Sequence, residues 1–153
     1  GLGSMGFGLP AAVGVQLAHP ESTVACVTGE ASIMMCIQEL STCKQYDLPI
    51  KIINLNNRYM GMVRQWQEFF YERRYSEVDM STTPDWVKLA EAYGLTALRA
   101  TRPDEVEAVL EKGLAAPGPV LMDFRCALEE NSFPMVPGGS ASRAMVHKAP
   151  DRG

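Results

Sequence analysis

Hydrophobic and polar positions follow two alternating rhythms along this chain. Leu9 to Ala18 (LPAAVGVQLA) reads as a helix, with Pro10 near its first turn, where a missing N–H costs nothing. Thr23 to Thr28 (TVACVT) is a short β-branched, apolar run, so a buried strand, and Gly29-Glu30-Ala31-Ser32 is the turn after it. Ile33, Ile37, Leu40 and Cys43 recur at helical spacing and predict one helix to about Tyr46, ended by Asp47-Leu48-Pro49. Ile50 to Leu55 (IKIINL) is a second buried strand, and Asn56-Asn57-Arg58-Tyr59 is the turn beyond it. Gly61 to Tyr71 predicts a short helix carrying Met62, Trp66 and Phe70, and Ser76 to Thr83 a polar loop. Pro84-Asp85 opens a helix with Trp86, Leu89, Ala90 and Tyr93 on one face and Gly94 as its stop. Leu95 to Ala100 is a third strand, Val106 to Leu114 a further helix, and Pro119 to Arg125 a fourth strand. After Glu129 the chain becomes a Pro/Gly/Ser tail without periodicity.

Strand and helix alternate throughout. That pattern specifies an α/β fold, a three-layer parallel sheet with helices on both faces. The expected organisation is one domain over residues 1–130 and a tail over 131–153. The chain opens without Met on a glycine-rich motif, Gly1 to Gly8 (GLGSMGFG), a loop type that normally follows a strand. The domain is therefore expected to be truncated at its start. In such sheets ligands bind at the carboxyl ends of strands, and both the Gly29 to Ser32 and Asn56 to Tyr59 turns are such ends.

Composition narrows the classes. A chain of 153 residues, 46% hydrophobic and 21% charged, can bury a core. Its net charge of −4 argues against nucleic acid, and Arg73-Arg74, flanked by Glu72 and Glu77, reads as a solvated face. No apolar run approaches the roughly 18 residues a membrane span needs, and no signal peptide is visible. The four cysteines form no C-x-x-C pair and sit in apolar stretches, as buried free thiols of a reducing compartment would.

Two constellations carry candidate chemistry. Gly1-x-Gly3-x-x-Gly6 matches a dinucleotide fingerprint, with Glu30 where a ribose-binding acid would lie, but a lone match is weak. The second runs from Gly29-Glu30-Ala31-Ser32 to Asn56-Asn57. Glu30 offers a carboxylate oxygen and Asn57 a carbonyl oxygen, both hard donors suited to Mg²⁺. A helix beginning near Ile33 would aim free N–H groups at the same place, a site for a diphosphate. The bland alternatives are a capping acid at Glu30 and an ordinary turn at Asn56-Asn57.

This spacing resembles the thiamine-diphosphate (ThDP) signature, which begins Gly-Asp-Gly and ends about thirty residues later in Asn-Asn. GLGSMGFGLPAAVG, IQELSTCKQYDLPIKIINLNN, GMVRQWQ and FPMVPGG together resemble the C-terminal third of acetolactate synthase large subunits, to about Gly139. The resemblance implies a ThDP diphosphate-binding domain. It implies Mg²⁺ held by the side chains of Glu30 and Asn57 and the backbone carbonyl of Tyr59. Gly29, Ala31 and Ser32 would meet the diphosphate. Gly3, Met5, Gly61 and Met62 would lie beside the cofactor, with Met5 propping its bent form. Met62 and Trp66 would line the substrate entrance, plain core packing being the alternative for that pair.

Two departures stand out: Glu30 replaces the usual Asp, and Ala31 the usual second Gly. An alanine is tolerable there only if it does not need a positive φ. The implied activity is decarboxylation of pyruvate and its condensation with a second 2-ketoacid, pyruvate or 2-ketobutyrate, for branched-chain amino acid synthesis. FAD, a homodimer or tetramer and a regulatory small subunit are implied for the whole enzyme, in the cytoplasm, a plastid or a mitochondrion. No catalytic residue is assigned. The activating glutamate belongs to an N-terminal domain, so the chain alone is expected to be inactive. Glu39, placed in mid-helix, is not that residue. The other readings are a sibling ThDP carboligase or decarboxylase such as glyoxylate carboligase, a dinucleotide-binding domain, and an inactive fragment keeping the fold.

Overall fold

A computed structural model of the chain describes residues 3–148. Gly1, the first glycine of the fingerprint, and tail residues 149–153 lie outside the described residues. The elements run α1 (Gly8–Ala18), β1 (Ala25–Gly29), α2 (Glu30–Met34), α3 (Glu39–Gln45), β2 (Lys51–Asn56), α4 (Gly61–Phe70), α5 (Trp86–Ala92), β3 (Thr96–Ala100), α6 (Val106–Ala115) and β4 (Val120–Arg125). Contacts divide the chain into two compact units: residues 1–57 with 82–126, and residues 58–81 with 127–153.

In the first unit the four strands form an all-parallel sheet in the order β1-β2-β4-β3. One face carries Cys26, Ile52 and Leu121 against α1, α3 and α5, whose Leu9, Leu40, Cys43, Trp86 and Ala90 complete the main core. The other face carries Val120, Met122 and Phe124 against Val106, Val109 and Leu110 of α6. Helices thus lie on both faces, as the strand–helix alternation predicted, but α6 covers only part of its side, where Val27 of β1 and Leu55 of β2 stay exposed. Close approach on the α6 side requires Gly113, because a Cβ there would overlap the Met122 sulfur.

The helix predicted from Ile33 to Tyr46 is two helices. Between α2 and α3, the N–H groups of Met35, Cys36, Glu39 and Leu40 donate three residues back, a tighter winding than the α-helix. The tightening turns Cys36, rather than Ile37, fully inward with Ile33, Leu40 and Cys43. It also puts Glu39 at the start of α3, not in mid-helix, where its carboxylate accepts from Thr42 Oγ1 at 2.9 Å.

Helix α5 follows its sequence signals. Asp85 caps it by accepting from the N–H groups of Val87 and Lys88, and Gly94 stops it at φ +77°. Three of the four thiols are buried. Burial pushes Cys43 up to about 11 and raises Cys26 and Cys36. Cys126, expected buried, is exposed just past β4.

The second unit joins α4 to the tail. The tail is not featureless: Met135 and Val146 form an antiparallel bridge, with a 3₁₀ turn at Ser142–Ala144. Gln65 holds it by accepting from the Ser132 N–H at 2.7 Å and donating to the Ser132 carbonyl at 3.0 Å. Among the described residues no helix is long and apolar enough to cross a membrane.

Candidate cofactor and metal site

The sheet face under α1, α3 and α5 changes character along the strands. Cys26, Ile52, Leu121 and Ala97 lie in one row across the sheet, and all are apolar. Two residues further on, the row reads Thr28, Asn54, Asp123 and Arg99. The carboxyl ends of the strands are therefore polar, and the candidate residues leave the sheet from that edge.

At the end of β1, Gly29 is extended and Glu30 starts α2 at once, so the helix begins three residues earlier than the sequence suggested and spans five residues. Glu30 is 1% exposed and Ala31 is also buried. Ala31 lies inside α2 and is absent from the positive-φ residues, so its Cβ meets no backbone conflict. Ser32 Oγ accepts from the Gly6 N–H at 3.0 Å. This bond joins the glycine-rich segment to the β1–α2 turn across 26 positions of sequence. Gly6 has φ +80°, and a Cβ there would stand 3.1 Å from Met35 Cβ, so only glycine lets the two segments close together. Gly3 is also left-handed (φ +66°), and Met5 is exposed.

At the end of β2, Asn56 is buried and Asn57 half-buried. Register pairs Gly29 with Leu55, so Glu30 and Asn56-Asn57 follow directly from adjacent strand ends. The donor types are oxygen only. Among the described residues no group of three or more His, Cys, Asp and Glu side chains gathers to hold a metal. One buried carboxylate and one amide, supplemented by phosphate oxygens, suit a hard cation that arrives with a phosphorylated cofactor. The residues present fit that group. The Glu30 charge, with burial first, also raises the Cys126 thiol.

The remaining candidates belong to the second unit. Tyr59 bridges Asp79, while the N–H groups of Met60 and Met80 donate to Val78 and Arg58 at 2.9 Å. In α4 burial is inverted. Arg64 and Gln65 are buried, whereas Met62 (50%), Trp66 (43%), Val63 and Phe70 are exposed. Core packing, the alternative for Met62 and Trp66, is not what this structure shows. Trp66, Val63, Gln67, Tyr71 and Arg74 line a cavity of about 500 Å³, and Met62 is not among its lining residues. Arg64 is enclosed: its guanidinium lies 5.2 and 4.8 Å from the Tyr59 and Tyr75 ring centres and pairs with Glu68 (3.1 Å) and Glu129 (3.3 Å).

Sequence reading missed Arg64 and the charged row at Asp123. The row carried a signal: Asn54, Arg99 and Asp123 interrupt otherwise apolar strand runs. An inward polar residue in a buried strand is costly unless partnered.

Comparison with known proteins agrees with this geometry. Residues 1–124 match the model of the thiamine pyrophosphate enzyme, C-terminal TPP binding domain. The chain is 48% identical over 148 residues to the acetolactate synthase isozyme 2 large subunit of Escherichia coli (strain K12), covering 97% of this chain and 27% of that one. It is 48% identical to the acetolactate synthase large subunit of Pyropia yezoensis, over 100% of this chain and 26% of that one. With the Haemophilus influenzae large subunit the figure is 47%, over 98% and 26%. The chain therefore spans about a quarter of the length of these relatives. The match assigns the glycine segment to a thiamine-type domain and sets aside the dinucleotide reading. With the two glycine turns and the oxygen donors gathered at the carboxyl edge of a parallel sheet, the chain belongs to the thiamine pyrophosphate enzymes as their C-terminal TPP-binding domain.

Proposed function

We propose that this chain is the diphosphate- and metal-binding part of an acetolactate synthase large subunit. The observation that carries the reading is the meeting of three motifs: the Gly3–Gly8 segment bonded to Ser32, buried Glu30 at the end of β1, and Asn57 just past the neighbouring β2. Residues 1–130 form the cofactor domain, and 131–153 its tail. The side chains of Glu30 and Asn57 and the backbone carbonyl of Tyr59 hold Mg²⁺. The backbone N–H groups of Ala31 and Ser32 meet the diphosphate beside Gly29. Ser32 Oγ already accepts from Gly6, so its own proton is the one offered. Gly3, Met5, Gly61 and Met62 lie beside the cofactor, and Met62 and Trp66 face arriving substrate from the exposed side of α4.

Bound ThDP supplies the electron sink that lets a 2-ketoacid lose CO₂ and its two-carbon remainder add to a second 2-ketoacid. The protein's part is placement. A buried carboxylate and the polar strand ends fix the charged end of the cofactor. Pyruvate and 2-ketobutyrate are the substrates of the whole enzyme, which also carries FAD, assembles as a dimer or tetramer and takes a regulatory small subunit. The 153-residue chain by itself does not turn over pyruvate. Calorimetric titration of ThDP into the full-length protein, with and without Mg²⁺, tests the site. Binding that needs Mg²⁺ and vanishes in Glu30→Ala is expected; metal-independent binding unaffected by that change refutes it. Pyruvate, glyoxylate and 2-ketobutyrate offered to the same protein separate acetolactate synthesis from a sibling carboligase.

A further inference from the structure

Asp123 stands in the middle of the parallel sheet and is fully buried. Its Oδ1 accepts from Asn54 Nδ2 at 3.0 Å and from Asn56 Nδ2 at 2.9 Å. Its Oδ2 accepts from Arg99 Nε at 2.9 Å and faces Arg125 Nε at 3.5 Å. Arg99 is in turn clamped in two-pronged fashion by Asp85, at 2.9 and 3.0 Å. The Oδ1 atoms of Asn54 and Asn56 are buried and accept no hydrogen bond. The bond to Asp123 is thus the polar anchor of each amide. Net stability is a weak reason for such a row. A buried ion pair rarely outperforms apolar side chains of equal volume, yet loss of one partner is costly. What the row does secure is the position of the end of β2.

We propose that Asp123 and Asn56 are positioning residues for the metal. Asp123 grips the last side chain of β2, so that Asn57, the next residue, leaves the sheet at a fixed point beside Glu30. The inference rests on the reading of Asn57 as a metal ligand. Asn54 supplies an internal control. It is equally buried and bonded to the same oxygen, but sits two residues further from the turn.

The test uses the full-length protein and titrates Mg²⁺ at fixed ThDP by calorimetry, with Tm recorded for every variant. Asn56→Ala is expected to raise the Mg²⁺ requirement about tenfold or more, in the range seen when residues that orient a metal ligand are removed. Asn54→Ala should lower Tm to a similar degree and change the Mg²⁺ requirement less than about twofold. Asn56→Ser keeps a donor in a smaller side chain, recovers part of the loss, and carries the test should the alanine variant not fold. Equal effects of Asn54→Ala and Asn56→Ala on Mg²⁺, tracking Tm, overturn the inference and leave a purely structural row. So does an unchanged Mg²⁺ requirement in Asn56→Ala and Asn56→Ser when Asn57→Ala abolishes binding. Unaltered binding in Asn57→Ala itself removes the site reading, and the inference with it.

Discussion

Asp85 does two separable jobs, and two substitutions divide them. Its Oδ1 caps α5 by accepting from Val87 N at 3.0 Å and Lys88 N at 3.2 Å, and its carboxylate clamps Arg99. Asn caps helices as well as Asp does but carries no charge. Asp85→Asn therefore removes the ion pair alone, and Asp85→Ala removes both. The pair is partly exposed, 26% and 37% for the two side chains, so about 0.5–1 kcal/mol is lost in Asp85→Asn. Loss of the cap adds about 1 kcal/mol in Asp85→Ala. With a urea m-value of about 2 kcal/mol/M, the midpoints fall by roughly 0.25–0.5 M and 0.75–1 M. Buried Trp86 opens α5, and its emission in a Trp66→Phe background reports the unfolding of this unit.

The sign of the pH dependence follows from the Asp85 carboxyl. Hydrogen bonding by Arg99, then by the Lys88 N–H, holds it well below the usual carboxylate range. A depressed folded pKa gives stability that is fully present above the unfolded value, near pH 4, and lost as pH falls through the folded value. The gap between wild type and Asp85→Asn should thus be constant from about pH 7 to 5 and narrow below about pH 4. Equal losses in Asp85→Asn and Asp85→Ala at neutral pH, or a gap unchanged in acid, would refute this division.

Three further outcomes are expected. Under native conditions at pH 8, an alkylating reagent followed by peptide mass mapping should modify Cys126 first, and more slowly than a free cysteine because its thiol is raised; rapid labelling of Cys43 would contradict its burial. Trp86→Ala should cost about 3–5 kcal/mol, whereas Trp86→Phe should cost well under half of that, because it also removes a buried indole N–H that makes no hydrogen bond; similar losses by urea titration would show the N–H to be satisfied. Arg64→Met should speed protease cleavage within residues 127–148 several-fold by freeing Glu129 and leaving the half-buried Glu68 without its cation; an unchanged cleavage pattern would mean Gln65 alone holds the tail.

Much of the fold was legible because each strand is a short, mainly apolar run between turn residues, and α5 has both an Asp cap and a Gly stop. The placement of the candidate site was legible through its spacing: Glu30 and Asn57 directly follow consecutive strands, and parallel pairing makes such ends neighbours. Three features were hidden, each for a physical reason. Periodicity located the stripe of Met62, Trp66 and Phe70 but could not say which side faces inward, and here Arg64 and Gln65 do. The break between α2 and α3 leaves the apolar spacing nearly intact, so one helix and two look alike. The Asp123 row depends on register, which places Asn54, Asp123 and Arg99 side by side from strands far apart in sequence.

The second unit is assembled from two pieces of chain, 58–81 and the residues from 127 on, with much of the sheet encoded between them. On a ribosome adding about 5–20 residues per second, residue 148 follows residue 81 by roughly 3–13 s. During that interval the nascent chain can complete its four strands, while α4 still lacks the Ser132 and Glu129 that secure it. A premature stop after Cys126 would spare every strand and orphan a helix whose Trp66 face is already apolar and open. Translation order thus leaves α4 unsecured until residues 129 and 132 have been made.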